Sequence, residues 1–241
     1  MNFLLSDLTV IVPTKNDHYR IEENLQKLLD YLKFNIQNFE ILIVSNGSSL
    51  LSIDYIDNLI LGLENIKHLK INRSGKGLAI KTGIVESVFS NILYCDADLS
   101  VDISEFTNFI NEGSLLSGFV VGNRKNTASE NLASPLLRRL SGFFYLLFIK
   151  NLFGLVYEDT QCGFKAIDKK VFTKCIDFET EGFSFDLELF LQAQYEKVKV
   201  TEIPVIYIHN PNSKVKIFKD TLIMIQEVYK IYKKYSRYEK T

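Results

Sequence analysis

The sequence predicts an α/β fold in which a parallel sheet carries helices on both faces. Short apolar runs without polar interruption are typical of strands buried on both sides, and LTVIVP at 8–13 is the first of them. Segments with the apolar spacing of a helix alternate with these runs through the first half of the chain. Polar residues gather just after the runs, at the edge of the sheet where α/β proteins bind ligands.

Five strands are predicted in the first half of the chain. Each is an apolar run of suitable length that ends in a turn or in polar residues. Their segments are LTVIVP (8–13), FEILIVSNGSS (39–49), HLKIN (68–72), NILYCDADL (91–99) and FVVGNRKN (119–126).

Helices are predicted between these strands. The first covers 21–34, where apolar residues fall on one face, and Asn16 or Asp17 is expected to cap it. The second covers 75–90 and begins in a glycine-rich loop. A third covers 105–113, with Ser104 as its expected cap.

The second half of the chain is less regular. Apolar periodicity predicts helices over 134–155 and 215–238, and a loop followed by a helix over 181–196. A loop and a strand are expected over 159–172, and a further strand over 200–209.

Composition limits the class of protein. The 241 residues are 46% hydrophobic, enough for one sizeable core. A net charge of −1 gives no overall field that attracts nucleic acid, so no nucleic-acid partner is expected. The three cysteines are far apart and form no CxxC, which favours buried thiols in a reducing compartment. The longest apolar run, 140–149, is about half of the ~20 residues that a membrane-spanning helix needs.

Asp96 and Asp98 follow an apolar run at one-residue spacing. In a strand, residues i and i+2 point to the same side, so both carboxylates could reach one Mg²⁺ or Mn²⁺ ion. Such an ion usually takes its remaining ligands from substrate phosphates and water. The alternative is that the two acids close a turn or cap the next helix.

Three further positions could contact a nucleotide. SGKGLA (74–79) offers backbone N–H groups and Lys76 to a phosphate at a helix start, although it matches neither GxxxxGK[ST] nor GxGxxG. Asn46, in SNGSS, could bind a base or a ribose. The alternatives are a flexible glycine turn with a solvated lysine and a plain Asn-Gly turn. His209 ends a strand beside NPNSK and could bind metal or phosphate.

Three helices in the second half of the chain carry further candidate residues. Asp186 begins a helix and could be a general base or an acceptor ligand, or a first-turn acid that interacts with the helix dipole. The helix over 136–155 has Arg138 and Arg139 beside bulky apolar residues, which suits a membrane interface as well as a core. In the last helix, an apolar stripe that includes Val228 and Ile231 is followed by basic residues. From residue 214 onward, the sequence contains eight Lys or Arg and three Asp or Glu.

The ordered series of motifs resembles family 2 glycosyltransferases over roughly residues 8–220. It is closest to the group that transfers a sugar to a polyprenyl phosphate, the dolichyl-phosphate glucosyltransferases and mannosyltransferases. The motifs are VIVPTKND, IVSNGSS, GKGLAIKTG, YCDADLS, GNRK, DTQCGFKA, GFSFDLEL and EIPVIYIHNPNSKV. DTQCGFKA and Ser100 resemble the glucosyl branch in particular.

The resemblance implies a GT-A fold, with a mixed but mainly parallel sheet, in a single domain over 1–241. Residues 1–126 would bind the nucleotide sugar, and residues 127–241 the acceptor. The implied nucleotide-sugar residues are Pro13, Asp17, Asn46, Lys76, Asp96, Ala97, Asp98, Arg124 and Lys214. The implied acceptor-phosphate residues are Arg138, Arg139 and Ser141. Asp96 and Asp98 would bind the metal, with His209 as a third candidate, and Arg124 and Asp186 are the candidate catalytic residues.

The expected reaction is a metal-dependent, inverting transfer of a hexose. The expected donor is a UDP-sugar in preference to a GDP-sugar, with glucose as the sugar. The expected acceptor is a polyprenyl phosphate. The protein is expected to contact the cytoplasmic face of a membrane peripherally. Two alternatives stay open: transfer to a glycan or glycolipid hydroxyl, and a non-catalytic sugar-nucleotide-binding protein. Ser45 and Asn46 stand where the family usually has an acidic pair, which motivates the second alternative.

Overall fold

The computed structural model of the protein describes residues 3–125, 136–208 and 217–236, with the backbone alone at 136–141 and 217–222. This part of the chain contains nine strands, six α-helices and one 3-10 helix at Ile103–Phe109. The strands are β1 (Leu5–Thr14), β2 (Ile36–Asn46), β3 (Ile66–Ile71), β4 (Asn91–Tyr94), β5 (Ile110–Asn111), β6 (Ser114–Leu115), β7 (Phe119–Asn123), β8 (Lys165–Asp168) and β9 (Val200–Pro204). The helices are α1 (His18–Asn35), α2 (Leu50–Leu59), α3 (Lys76–Glu86), α4 (Leu136–Phe153), α5 (Phe185–Tyr195) and α6 (Ile217–Tyr235).

Seven of the described strands form one sheet, in the order β3-β2-β1-β4-β8-β7-β9. β8 runs antiparallel to both of its neighbours, and the other neighbouring pairs are parallel. The predicted mixed, mainly parallel sheet is therefore confirmed. The change of direction at β8 places the loop before it, 159–164, close to the end of β4.

Alternate residues of the buried strands enter two separate cores. Val10 and Ile41 point to the face covered by α1, α2 and the 3-10 helix. Ile11 and Leu42 point to the opposite face, which is covered by α3, α4, α5 and α6. This explains why the strands read as uninterrupted apolar runs and confirms helices on both faces. All three cysteines are buried and free, and burial raises the pKa of Cys162 to about 11.

Three local expectations were incomplete or wrong, and the structure also orients one helical stripe that the sequence left open. Helix α2 was not predicted; Ser49 caps it by accepting a hydrogen bond from the Ser52 N–H. The segment after Ser104 is a 3-10 helix and a short hairpin, and Asp102 is the cap. Asp17 occupies the N-cap position of α1, but its side chain makes no capping hydrogen bond. The stripe on α6 faces inward, because Val228 and Ile231 are buried in the second core.

Candidate active site

The two aspartates of the DAD triplet lie in a turn beyond β4. That strand ends at Tyr94, and the Leu99 N–H donates to the Asp96 carbonyl over 3.0 Å. Leu99 has a φ of 43°, which turns the chain out of the sheet. The expectation that strand alternation aligns both carboxylates is therefore wrong. Asp96 and Asp98 face two different cations.

Asp96 is paired with Lys76, the first residue of α3. The distance from Lys76 Nζ to Asp96 Oδ1 is 2.6 Å. Burial alone would lower the pKa of Lys76, but the charges of Asp96 and, further away, Asp186 outweigh it, so this pKa is raised. The backbone of Gly163 lies against the same carboxylate, since a Cβ at this glycine would be 2.0 Å from Asp96 Oδ2.

Asp98 is held by groups from α1 and from its own turn. Its Oδ2 lies 3.4 Å from Arg20 Nη1, and its Oδ1 accepts from the Ser100 N–H. Arg20 also contacts Asp17 at 3.3 Å, so Asp17 reaches the triplet through this arginine. Ala97, between the two acids, is buried, and its carbonyl accepts from Asn24.

The glycine loop packs against protein and not open space. The N–H groups of Gly77 and Leu78 donate to the carbonyls of Gly182 and Glu181, over 3.2 and 3.1 Å. A Cβ at Gly77 would lie 2.3 Å from the Thr180 carbonyl oxygen, so the glycine permits a close backbone approach. The expectation that these N–H groups are free for a phosphate is wrong, and Lys76 is the polar group that the loop directs toward the DAD turn.

Asn46 joins two loops at the carboxyl end of the sheet. It is buried; its Nδ2 donates to the Thr14 carbonyl, and its Oδ1 accepts from the Gly75 N–H. Its amide therefore fixes the end of β1, close to Pro13, relative to the glycine loop.

The residue before Asn46 has a separate set of partners. Ser45 Oγ lies 2.8 Å from His68 Nε2, and His68 Nδ1 lies 2.8 Å from Asp57 Oδ1. Burial lowers the pKa of His68 in spite of Asp57, so the imidazole is neutral at neutral pH. Ser45 itself is fully buried, which identifies it as a packing residue beneath the site.

Arg124 lies in a second cluster, just after β7. Its Nε and Nη2 donate to the two carboxylate oxygens of Asp159, over 2.7 and 2.9 Å, and its guanidinium lies 5.3 Å from the Tyr207 ring centre. Burial would raise the pKa of Asp159, but Arg124 outweighs it and lowers this pKa to about 2. The backbone N–H of Asp159 donates to Glu202. The cluster thus presents a rigidly held arginine.

Asp186 is buried at the start of α5 and is shared by two partners. Lys165 Nζ and the Tyr94 hydroxyl both donate to its Oδ1, over 2.6 and 2.9 Å. Lys165 is fully buried and also donates to the Cys162 carbonyl. The carboxylate therefore neutralises a buried lysine, and one of its oxygens is already shared by two donors.

Several predicted site residues lie outside the described part. His209 and Lys214 fall in 209–216, and the side chains of Arg138, Arg139 and Ser141 belong to the stretch of α4 described by its backbone alone. Their assigned roles stay predictions. Among the described helices, none combines the length and the apolar character needed to cross a membrane.

Sequence reasoning gave no role to three residues that complete the site. Arg20 pairs with Asp98, Asp159 holds Arg124, and Gly163 contacts Asp96. Asp159 and Gly163 belong to the DTQCGFKA motif, which was noted only as a family feature. A signal existed for Arg20, since a cation in the first turn of a helix opposes the helix dipole and calls for an acidic partner.

The donor groups of the DAD turn suit a hard divalent ion. Carboxylate oxygens are the ligands that Mg²⁺ and Mn²⁺ prefer, and 43% of the Asp96 side chain is exposed. No group of three or more His, Cys, Asp or Glu side chains that could hold an ion occurs in the described residues. A site with one or two carboxylates is the pattern for Mg²⁺ that also binds substrate phosphates and water, so Asp96 and Asp98 fit it.

Comparison with known proteins assigns the family. The profile described as Glycosyl transferase family 2 matches residues 9–175. The dolichyl-phosphate beta-glucosyltransferase of Dictyostelium discoideum is 27% identical, over 93% of this chain and 73% of its own length. The human protein of that name is also 27% identical, over 90% of this chain and 72% of its own length.

Solved structures agree in fold. Glucosyl-3-phosphoglycerate synthase from Mycobacterium tuberculosis, in complex with UDP, superposes with a TM-score of 0.65 at 12% identity, over 94% of this chain and 79% of that one. Mannosyl-3-phosphoglycerate synthase from Rubrobacter xylanophilus gives a TM-score of 0.64 at 15% identity, over 98% of this chain and 75% of that one. Together with the matched profile, these findings show that the chain belongs to glycosyltransferase family 2 and is a glycosyltransferase with the GT-A fold.

Proposed function

We propose that this glycosyltransferase transfers glucose from UDP-glucose to a polyprenyl phosphate, with inversion and with Mg²⁺ or Mn²⁺, at the cytoplasmic face of a membrane. The relatives that match most of the chain are named for transfer of glucose to dolichyl phosphate, a lipid of this class. A related fold has been solved with Mn²⁺, UDP and a glucosylated product, which supports the choice of donor and metal.

The observation that carries the proposal is the pairing of Asp186. An acceptor hydroxyl must lose its proton as it attacks, so it needs a positioned base. The carboxylate best placed by sequence for that task is buried and shared between Lys165 and Tyr94. A phosphate acceptor is already anionic and needs no base. The arrangement therefore favours a phosphate over a hydroxyl.

The transfer requires charge stabilisation on the leaving group. An oxygen of the acceptor phosphate forms a bond to the anomeric carbon while the bond from that carbon to the diphosphate oxygen breaks. UDP departs with the electron pair, and no proton is transferred. Asp96 and Asp98 would hold the metal ion, which would supply positive charge at the diphosphate. Lys76 and Arg124 add preorganised cations, and Asp159 keeps Arg124 in a fixed orientation.

An exposed apolar surface supports the membrane contact. Helices α4 and α6 pack together, with the Phe153 and Tyr232 rings 6.1 Å apart. Both helices expose large apolar side chains that are at least 41% accessible: Phe143, Phe144, Leu147, Phe148, Ile223, Ile225, Tyr229 and Tyr232. Lys230 and Lys233 are exposed beside them. Exposed apolar and basic side chains on two packed helices suit the interface of an anionic bilayer.

A transfer assay tests the chemistry. The protein is incubated with radiolabelled UDP- or GDP-sugars, with Mg²⁺, Mn²⁺ or EDTA, and with a short polyprenyl phosphate. We expect label from UDP-glucose in the lipid phase, lost with EDTA and with Asp98→Ala. Asp30→Ala, at an exposed position of α1, is the matched control and should keep activity. Asp186→Asn should keep substantial activity in folded protein. Release of free glucose without labelled lipid would overturn the lipid acceptor.

Vesicle flotation tests the membrane contact. The protein is expected to float with anionic vesicles and to do so less with zwitterionic ones. Phe148→Ser should weaken flotation, while Val156→Ser, an exposed apolar position outside both helices, should not. Protein that stays in the soluble fraction with both kinds of vesicle would overturn this part of the proposal.

A further inference from the structure

Helix α6 is bonded to the segment 179–184, which lies between it and the glycine loop. Lys234 Nζ contacts Glu188 Oε1 at 2.8 Å and Glu179 Oε1 at 3.0 Å. About two turns earlier in α6, Glu227 Oε2 accepts from the Ser184 N–H over 3.1 Å. Two charged side chains of α6 therefore hold the two ends of this segment.

The buried side chain of Glu188 also fixes the segment 179–184. Its side chain is 1% exposed, and its Oε2 accepts from the N–H groups of Glu179 and Thr180 and from the Thr180 hydroxyl. Lys234 supplies the cation for this buried carboxylate. Without it, the carboxylate would keep its backbone donors but lose its compensating charge, which is costly in a buried position.

The segment 179–184 in turn seats the start of α3. The carbonyls of Glu181 and Gly182 accept from the N–H groups of Leu78 and Gly77. The approach is so close that a Cβ at Gly77 would clash with the Thr180 carbonyl. Lys76, one residue before this contact, extends to Asp96. A shift of the segment therefore moves the base of the Lys76 side chain.

We propose that Lys234 and Glu227 are positioning residues for the nucleotide-sugar site. They act by fixing the segment 179–184, which sets the N-terminus of α3 and so the place of Lys76 beside the DAD turn. This inference rests on the proposed donor site, but not on the identity of the acceptor. It also gives α6 a role in the first half of the reaction, donor binding, although the helix belongs to the half of the chain that was expected to serve the acceptor.

The test compares lysines of two helices. Lys234→Met removes the cation, Lys234→Arg keeps it, and Lys33→Met makes the same change at an exposed position of α1. We expect Lys234→Met to speed amide hydrogen exchange at Gly77 and Leu78, to weaken UDP binding and to lower kcat/KM for the donor by about tenfold, with the acceptor KM unchanged. Lys234→Arg should restore all three, and Lys33→Met should match the wild type.

Glu227 gives an independent variant if Lys234→Met fails to fold. Glu227→Gln keeps an oxygen that can accept from Ser184, while Glu227→Ala removes it, so only the alanine variant should lose donor affinity. The proposal is overturned if the folded Lys234→Met and Glu227→Ala variants bind UDP as the wild type does. It is also overturned if hydrogen exchange rises evenly across the protein, because that marks a purely structural role. Failure of the wild type to bind UDP would instead refute the proposed donor.

Discussion

Replacing Asp159 by asparagine tests whether its charge organises the Arg124 cluster. The carboxylate accepts two hydrogen bonds from the guanidinium and one from the Arg124 N–H. Only 5% of its side chain is exposed, so solvent screens the pair weakly. Asparagine has nearly the same shape but no charge, and its amide nitrogen would face a guanidinium donor. The variant therefore removes the attraction and adds a poor contact.

The expected loss follows from the pKa of Asp159. This pKa is about 2 in the folded protein against an ordinary value of 3.8. The difference corresponds to about 2.5 kcal/mol of the free energy of unfolding. Because the folded pKa is depressed, this contribution is fully present above the unfolded value and disappears as the pH falls through the folded value. Roughly half of it should remain at about pH 3.

The assay is urea unfolding of the wild type and Asp159→Asn between pH 7 and the lowest pH at which both fold. We expect the free energy of unfolding of Asp159→Asn to be about 2.5 kcal/mol lower than that of the wild type at pH 7. This difference should narrow only below about pH 4. Asp54→Asn, at an exposed position of α2, should leave stability within about 0.5 kcal/mol of the wild type. The reasoning would be refuted if the free energies of unfolding of the wild type and Asp159→Asn differed by less than about 0.5 kcal/mol at pH 7. It would also be refuted if their difference did not change toward acid pH.

Two further substitutions test contacts around the DAD turn. Because a Cβ at Gly163 would lie 2.0 Å from Asp96 Oδ2, Gly163→Ala should displace this carboxylate and lower kcat/KM for the donor by about 100-fold. The control is Gly142→Ala, because among the described residues no group outside the adjoining helix backbone lies within 4 Å of the new Cβ. Equal kinetics in both variants would contradict the contact. Asn46→Asp brings the chain nearer the usual family pattern, yet it loses the bond to the Thr14 carbonyl and should cost about 1–3 kcal/mol, seen as a lower Tm; an unchanged or higher Tm would contradict this.

The strands could be predicted because burial on both faces leaves a signal in every residue. β1 and β2 read as unbroken apolar runs, and their alternate residues fill two cores. The polar residues at the ends of β2, β4 and β7 were also informative, because they lie at the carboxyl edge of the sheet, where α/β proteins bind ligands. Asn46 and the DAD turn are therefore found at the predicted edge.

The partners of those residues could not be predicted, because they come from distant parts of the chain. Arg20 and Asp98 are 78 residues apart, and Arg124 and Asp159 are 35 apart. Nothing in local spacing couples such pairs. Helix α2 was missed because leucines and isoleucines crowd its sequence, while only Ile56 among them is buried, so its apolar pattern does not mark one face.

The glycine loop shows how a correct location can suggest an incorrect mechanism. A glycine-rich helix start is a general anion site, yet here its N–H groups serve the segment 179–184. Charge at the site comes from pairs instead: Lys76 with Asp96, and Arg20 with Asp98. Each pair joins a group that suits phosphate to one that suits a metal. Under the proposed function, the cations of these pairs would bind the diphosphate, and the carboxylates would bind the divalent ion. Each charged group would then keep a partner of opposite charge, which keeps donor binding favourable in a half-buried site.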